Sequence, residues 1–304
     1  MDYLLLQMLN GVQLGLLMFL LAAGLTLTFG IMDLVNLAHG SLYMMGAYIA
    51  WTTIGWTDSF VLGALLALPV IFLLGLVVEA VVARRLYVRN HLDQVLATFG
   101  LILFFNELVR VIWGPAGKSI AVPTFLNHTV EILPGVPYPA YRFAIIVVGA
   151  VVAVLLAWLV ARTRIGMLIR AGASNRRMIG ALGVNIELLF SLVFGLGAVF
   201  AGLAGLMAAP ITSVKIGMGD DILILAFVII VIGGIGSIKG AFIAAMVVGQ
   251  IDIVGRAFLP DLLKTFLSAS AASSAAPAIS QVLVYIVMAG VLVWRPTGLF
   301  GQRQ

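Results

Sequence analysis

About nine long apolar segments, separated by short polar or glycine-rich breaks, constrain this chain more than any other feature of its sequence. They lie at about 8–29, 40–56, 60–83, 92–113, 142–161, 188–210, 219–237, 240–258 and 278–294. An α-helix needs about 20 apolar residues to cross the hydrocarbon core of a bilayer. The segments do not alternate apolar and polar residues, as the strands of a membrane β-barrel do. The sequence therefore predicts an all-α polytopic membrane protein.

The composition agrees with this class and excludes others. The chain is 63% hydrophobic and only 10% charged, whereas ordinary soluble domains are about 25% charged. Its net charge of +5 sits at segment ends, where membrane proteins place lysine and arginine, so it does not indicate nucleic-acid binding. We expect a single transmembrane domain over residues 1–304, in contact with the lipid bilayer and without a soluble ATPase or binding domain.

Two pairs of apolar segments meet at glycine-rich or polar breaks. These are 8–29 with 40–56, and 219–237 with 240–258. Each pair could form two short spans, or one broken and partly re-entrant element. We therefore expect about eight or nine transmembrane helices, some of them broken or re-entrant.

Clusters of arginine follow the third, fifth and last segments and predict the orientation of the chain. They are Arg84, Arg85 and Arg89, then Arg162, Arg164, Arg170, Arg176 and Arg177, and finally Arg295 and Arg303. Because membrane proteins keep lysine and arginine on the cytoplasmic side, these ends should be cytoplasmic. The N-terminus is then outside, the C-terminus is cytoplasmic, and the proline-rich loop at about 114–141 is outside.

The break after the first segment is unusually polar for a membrane protein. Asp33, Asn36 and His39 are spaced by three, so on a helical turn they would share one face. Polar groups at membrane depth usually face a cavity or each other, which favours a translocation pathway. The alternative is a helix junction exposed to the cytoplasm. One histidine and one carboxylate are too few ligands for a metal site, and we expect no catalytic residues.

A second break is rich in glycine and weakly repeats the first. His39–Leu42 followed by Gly46–Ala50 is similar to Ile235–Ile238 followed by Gly240–Ala244. Broken helices at matching places in two halves often mark the pathway of a transporter, although tight helix packing would also need such glycines. The predicted pathway residues are Asp33, Asn36, His39, Gly40, Tyr43, Tyr48, Gly233, Gly234, Gly236 and Ser237.

The basic loop at about 163–187 has small residues at helical spacing between its arginines. Such a pattern predicts a short amphipathic helix along the membrane surface, centred on Ala171–Gly183. A solvated basic loop is the alternative. The alanines and glycines favour a protein-docking role, because they permit close approach of another chain.

The remaining charges have plain structural explanations. Asp252 with Arg256, Glu107 with Arg110, and Glu79 beside Arg84 are spaced to form local pairs. No series of carboxylates runs through the apolar segments, which argues against a proton-coupled carrier. Residues 114–119 superficially resemble a nucleotide-binding loop, but Ile112 stands where that motif needs glycine.

Four motifs in the same order along the chain resemble the LivH-type permease subunits of ABC importers for branched-chain (hydrophobic) amino acids. The motifs are Gly24–Gly30 leading into Val35–Tyr48, then Arg170–Asn185, then Val231–Ala241, and last Trp294–Gly301. Each motif alone is weak, but together they span nearly the whole chain.

The resemblance implies a subunit of a bacterial inner membrane importer that has no enzymatic activity and binds no cofactor itself. It would pair with a homologous LivM-like permease, two cytoplasmic ATPases that bind ATP and Mg²⁺, and a periplasmic substrate-binding protein. The basic loop would be the coupling helix that docks on an ATPase. Its residues would be Arg170, Ala171, Gly172, Ala173, Asn175, Arg176, Arg177, Ala181 and Gly183.

Two departures from the family pattern bear on these expectations. Phe19 stands where a tyrosine is common in the first segment, and Asn175 stands where the coupling loop often has an acidic residue. The first change leaves the substrate open, so a urea or short-amide permease of the same architecture is an alternative. An ion-coupled secondary carrier is a more distant one.

Overall fold

The computed structural model describes residues 2–133, 135–174 and 176–301, without the side chains of Leu133, Ser174, Arg176 and Arg177. Nearly all regular structure in these residues is helical. The helices are α1 (Asp2–Met32), α2 (His39–Thr57), α3 (Phe60–Val78), α4 (Arg84–Leu86), α5 (His91–Trp113), α6 (Ala140–Arg162), α7 (Arg164–Ser174), α8 (Arg176–Ala181), α9 (Ile186–Ala208), α10 (Met218–Gly233), α11 (Ile238–Leu263) and α12 (Ala269–Trp294). A π-helical turn (Glu79–Ala83) joins α3 to α4, and the loop before α6 holds a 3₁₀ turn (Thr124–Leu126) and strands β1 (Thr129–Leu133) and β2 (Val136–Pro139).

Within the described residues, 7 helices are long and apolar enough to cross a membrane. They are α1, α3 with its extension to Leu86, α5, α6, α9, α11 and α12. Every predicted apolar segment is helical, which confirms the all-α membrane class. The remaining two predicted segments form α2 and α10. Each belongs to one of the two pairs of segments for which the sequence left open whether both segments cross the membrane. With 16 residues, α10 is only about 24 Å long, too short for a bilayer core of about 30 Å.

Eight of the helices form two units that run in opposite directions. One unit is α1, α2, α3 and α5, and the other is α9, α10, α11 and α12. Helix α1 packs against α10 and α11, and α9 packs correspondingly against α2 and α3. α1 and α9 are antiparallel, because Gly24 meets Gly197, while Ile31 and Leu189 both approach Gly172. This arrangement is the inverted repeat found in many transporters.

The two short helices, α2 and α10, begin inside the bundle and occupy corresponding places in the two units. At the start of α2, His39 Nε2 lies 3.1 Å from the carbonyl oxygen of Leu21, near the middle of α1. Gly40 of α2 is in backbone contact with Gly219 of α10. The two helices then run toward opposite ends of the bundle. The chain re-enters the bundle before each of them, at 33–38 and at 209–217, whereas the break between α10 and α11 lies at one end of the bundle, beside Gly30. The sequence similarity between the starts of α2 and α11 was therefore misleading, since the structural counterpart of α2 is α10.

The ends of the bundle differ in structure. One end, called here the hairpin end, carries β1 and β2, paired antiparallel around Gly135, whose φ is +84°. The sequence predicts only an irregular proline-rich loop here. Prolines are tolerated in a two-stranded hairpin, because its outer edges need no further N–H donors. The opposite end, called the loop end, carries α7 and α8.

A polar contact fixes the hairpin to α1. The Tyr138 hydroxyl and Arg142 Nη1 donate to the side-chain oxygen of Asn10, at 3.1 and 2.8 Å. Burial raises the pKa of Tyr138 to about 12, with Arg142 opposing the shift, so the phenol stays protonated and donates at neutral pH. The hairpin end is thus tied to the start of the first helix.

The local ion pairs expected from the sequence are present. Asp252 and Arg256 are 2.8 Å apart, and Glu107 and Arg110 are 2.9 Å apart. Glu79, whose side chain is buried, pairs with Arg84 at 3.1 Å.

Candidate functional site

The predicted pathway residues of the first break divide into an exposed and a buried group. Asp33 is exposed and has a φ of +53°, which ends α1. Asn36 and His39 are only 1% and 0% exposed. The expectation that these three residues share one helical face was wrong, because residues 33–38 form a non-helical segment that returns into the bundle. Gln94 holds this segment through its side-chain oxygen, which accepts from the Val35 N–H at 3.0 Å.

Unpaired polar atoms are concentrated in this buried region. Among the described residues, those with no hydrogen-bond partner on α1, the 33–38 segment and α2 are Thr26 Oγ1, Asn36 Nδ2, His39 Nδ1, Ser41 Oγ and Tyr48 OH. Most buried polar groups in proteins are hydrogen-bonded, so such a cluster needs a physical reason. Water or substrate in an open pathway would supply partners. Gly40 and Tyr43 lie in the same buried region, and the pathway role of the whole group remains a prediction.

The glycine-rich break between α10 and α11 is occupied by the C-terminal segment. Gly233 packs against Gly240, and Gly234, whose φ is +97°, packs against Gly298 and Gly301. The N–H of Leu299 donates to the carbonyl oxygen of Ile232 at 2.8 Å, and that of Phe300 to Gly233 at 3.0 Å.

The other two predicted residues of this break have different surroundings. Gly236 is exposed and lies near Gly30 at the end of α1, while Ser237 caps α11 by accepting the Gly240 N–H at 3.0 Å. Close backbone approach accounts for the glycines, and it also links the third and fourth sequence motifs in space.

Helix α7 is anchored by one face and exposed on the other. Gly166, Ile169 and Gly172 are buried at a spacing of three residues. A side chain at Gly172 would lie 3.6 Å from both Ile31 and Leu189, so α7 rests on the ends of α1 and α9. Arg170, Ala171 and Ala173 are exposed. The small residues therefore serve close packing on one face and leave a second face free.

The loop contains two helices rather than the single Ala171–Gly183 helix expected from the sequence. α7 already begins at Arg164, because the Thr163 hydroxyl accepts the Gly166 N–H at 3.0 Å and caps it. α8 ends at Ala181, followed by Gly183 with a φ of +86°. Arg176 and Arg177 lie on α8, but their side chains, and the whole of Asn175, lie outside the described residues.

A polar face on α12 escaped the sequence analysis. Ser274, Gln281 and Tyr285 are exposed on one side of this spanning helix. Polar groups in a span rarely face lipid and usually line a cavity or contact protein. The predicted apolar segment begins only at about residue 278, because the serine- and alanine-rich stretch before it is as typical of a loop or a frayed helix as of a span. It is helical from Ala269, where the Ser268 hydroxyl accepts the Ala271 N–H at 3.4 Å.

The chain is similar over nearly its whole length to known transport permeases. Residues 7–292 match the family model described as "Branched-chain amino acid transport system / permease component". The branched-chain amino acid permease BraD of Pseudomonas aeruginosa is 29% identical, covering 97% of this chain and 95% of its own length. LivH of Escherichia coli is 28% identical, covering 99% and 96%. A probable LivH of Methanocaldococcus jannaschii is 28% identical, covering 94% and 89%. No solved structure matches the chain significantly.

Proposed function

The chain belongs to the family of branched-chain amino acid transport system permease components, and from this premise we propose how it works. It is the membrane-spanning permease subunit of an ATP-driven importer for branched-chain or related hydrophobic amino acids. The proposed substrate class rests on one observation. The chain aligns over nearly the full length of permeases that are named for these amino acids. The importer resides in the bacterial inner membrane.

Two ATPase subunits supply the energy in this proposal. The permease is not itself catalytic, and ATP and Mg²⁺ bind to the ATPases. They dock on the exposed face of α7 and on α8, so the loop end is cytoplasmic, the hairpin end and N-terminus are outside, and the C-terminus is inside. The geometry of α7 supports this assignment, because Arg170, Ala171 and Ala173 are exposed while the opposite face is fixed to the bundle.

The packing of α7 suggests how movement reaches the membrane. Gly172 contacts both Ile31 of α1 and Leu189 of α9, the equivalent first helices of the two inverted units. A displacement of α7 by the ATPase would therefore move α1 and α9, and with them both units, at the same time. Because α1 and α9 lead into the re-entrant helices α2 and α10, a relative tilt would alter the buried contact between Gly40 and Gly219 and could hydrate the unpaired polar atoms nearby.

The docking role of α7 can be tested with a charge on its exposed face. Ala173→Glu is expected to reduce uptake about tenfold or more, since a buried unpaired charge at an interface costs several kcal/mol. Co-purification of the ATPases should fall with it. Val88→Glu is the control, because Val88 is 90% exposed at the same end but outside α7 and α8. Normal uptake and normal co-purification by Ala173→Glu would contradict both the docking surface and the cytoplasmic placement of the loop end.

The remaining partners are a second, LivM-like permease and a periplasmic substrate-binding protein that docks at the hairpin end. We assign the second permease to the polar face of α12, because exposed Gln281 and Tyr285 need protein or water beside them within the membrane. The pathway would then also border this face.

A bulky substitution at Gln281 tests this assignment. Gln281→Trp is expected to lower uptake roughly tenfold, in line with the 1–3 kcal/mol cost of overpacking a close contact, while the ATPases remain bound. Leu65→Trp is the matched control, since Leu65 is 59% exposed on the apolar face of α3. Equal uptake by the two variants would show that the α12 face contacts lipid.

The alternative of a urea or short-amide permease receives no support from the position that raised it. Phe19 is 1% exposed, and its ring lies edge-on to that of Phe242 with centroids 5.2 Å apart. The missing tyrosine hydroxyl therefore concerns apolar packing between α1 and α11.

A further inference from the structure

An apolar cleft of about 660 Å³ opens between α1, α6, α7 and α11 at the loop end of the bundle. Its walls are mainly small and aliphatic side chains of α6, including Val154, Ala157 and Val160, with Phe19 and Phe242 opposite them. The predicted pathway residues do not line this space, and of the exposed α7 residues assigned to the ATPase contact only Arg170 borders it.

Two cations are the exception to this apolar lining. Arg170 of α7 and Lys239 at the start of α11 both line the cleft and are both exposed. No acidic side chain is among the lining residues that the structure describes, and neither cation forms an ion pair with any described residue. The described partner of Lys239 is the ring of Phe300, whose centroid lies 5.4 Å from Nζ. The cleft thus combines an apolar groove with uncompensated positive charge.

The position of the cleft identifies its occupant. α6 is the most apolar of the spanning helices and only 17% of its most apolar stretch is buried, so it faces the hydrocarbon of the bilayer. Lys239 and Arg170 mark the level where that hydrocarbon ends, because α11 begins and α7 lies at the loop end. Basic pockets between helices at this level suit anionic lipid headgroups.

We propose that this cleft binds a diacyl phospholipid with an anionic headgroup. One acyl chain lies along α6 between Val154 and Val160, against the ring of Phe242. The headgroup phosphate lies between the Arg170 guanidinium and the Lys239 ammonium. Because Arg170 belongs to α7, the bound lipid would fix α7 against α6 and α11, in addition to the contacts that α7 makes with α1 and α9.

Lipid retention by the purified full-length chain, alone and with its co-purifying subunits, tests this site by native mass spectrometry. The probes are phosphatidylglycerol and phosphatidylcholine with identical acyl chains. The wild type should retain phosphatidylglycerol preferentially. The double variant Arg170→Gln with Lys239→Gln should bind it roughly thirtyfold more weakly, the factor expected for two interfacial cations. The control Arg85→Gln removes an exposed arginine of α4 at the same end and should leave retention unchanged.

A steric variant separates the groove from the charges. Ala157→Trp fills the cleft and should reduce phosphatidylglycerol retention, whereas Leu155→Trp, exposed on the same helix but outside the cleft, should not. Equal retention of the two lipids by the wild type would overturn the proposal, as would unchanged retention by Ala157→Trp. Loss of retention on assembly with the other subunits would also overturn it, because the cleft would then be a protein interface. None of these readouts depends on transport, so the proposal can fail while the importer function stands.

Discussion

Replacing Gly46 with leucine is expected to prevent the folded chain from accumulating. Gly46 of α2 crosses α9 at Gly202, and a Cβ at position 46 would collide with the backbone of Gly202. One turn further along α9, a Cβ at Gly205 would meet the carbonyl oxygen of Tyr43. Because the atoms in the way are backbone, neither helix can relieve the clash by a side-chain rotation. Small residues at such crossings are what allow membrane helices to approach closely.

Overpacking costs about 1–3 kcal/mol where side chains can shift. Because backbone atoms cannot shift in this way, the expected loss in the free energy of unfolding is larger here. The yield of monodisperse protein in detergent and its thermal unfolding temperature measure the effect. Gly100→Leu is the control, since Gly100 lies on a spanning helix and a Cβ there meets nothing within 4 Å. Similar yields of the two variants would show that α2 and α9 do not cross as closely as the structure places them.

This crossing also shows what the sequence could not reveal. Apolar length predicts a helix, and each of the nine segments is one. Length and hydropathy carry no information about depth, however, so the sequence left open whether the 19 residues of α2 cross the membrane or re-enter it. Only the position of His39 beside the middle of α1 shows that this helix begins inside the bundle. Helix α10 also begins inside the bundle, and only its backbone contact with α2 shows this.

The sequence predicted those parts of the candidate site that depend on patterns of neighbouring residues. Arginines at segment ends and small residues at helical spacing located the α7–α8 loop, and spacing alone predicted the pair of Asp252 and Arg256. The second helix of the loop and the anchored face of α7 depend on contacts with α1 and α9, which no local pattern encodes. The polar face of α12 was missed because serine and alanine are common in loops as well as at helix interfaces.

Glu79 offers a sharp test of how the two inverted units are held together at the loop end. Its buried carboxylate, on the π-helical turn after α3, accepts from Arg84 Nη2 at 3.1 Å, the Tyr87 hydroxyl at 3.0 Å and the Ser191 hydroxyl of α9 at 2.7 Å. Arg84 in turn reaches Glu187 of α9 at 3.1 Å. The carboxylate thus joins α3 of one unit to α9 of the other. A π-helical turn often occurs where a side chain must be placed for such a purpose.

Glu79→Ala is expected to lower the free energy of unfolding by about 1.5–3 kcal/mol, because it removes a buried charged acceptor that joins two helices. Thermal unfolding in detergent measures the loss. Glu107→Ala removes a carboxylate that is 61% exposed and paired with Arg110 at 2.9 Å, and it should cost less than about 1 kcal/mol, as exposed pairs do. If the two variants unfolded at the same temperature, the network at Glu79 would not bear on stability. The larger effect is expected at Glu79 because its carboxylate is buried and joins two helices, whereas the Glu107 carboxylate is mostly exposed and can exchange its partner for water. Since α9 follows directly from the loop where we place the ATPase, a chain with this junction weakened should also transmit force from α7 to α3 less well.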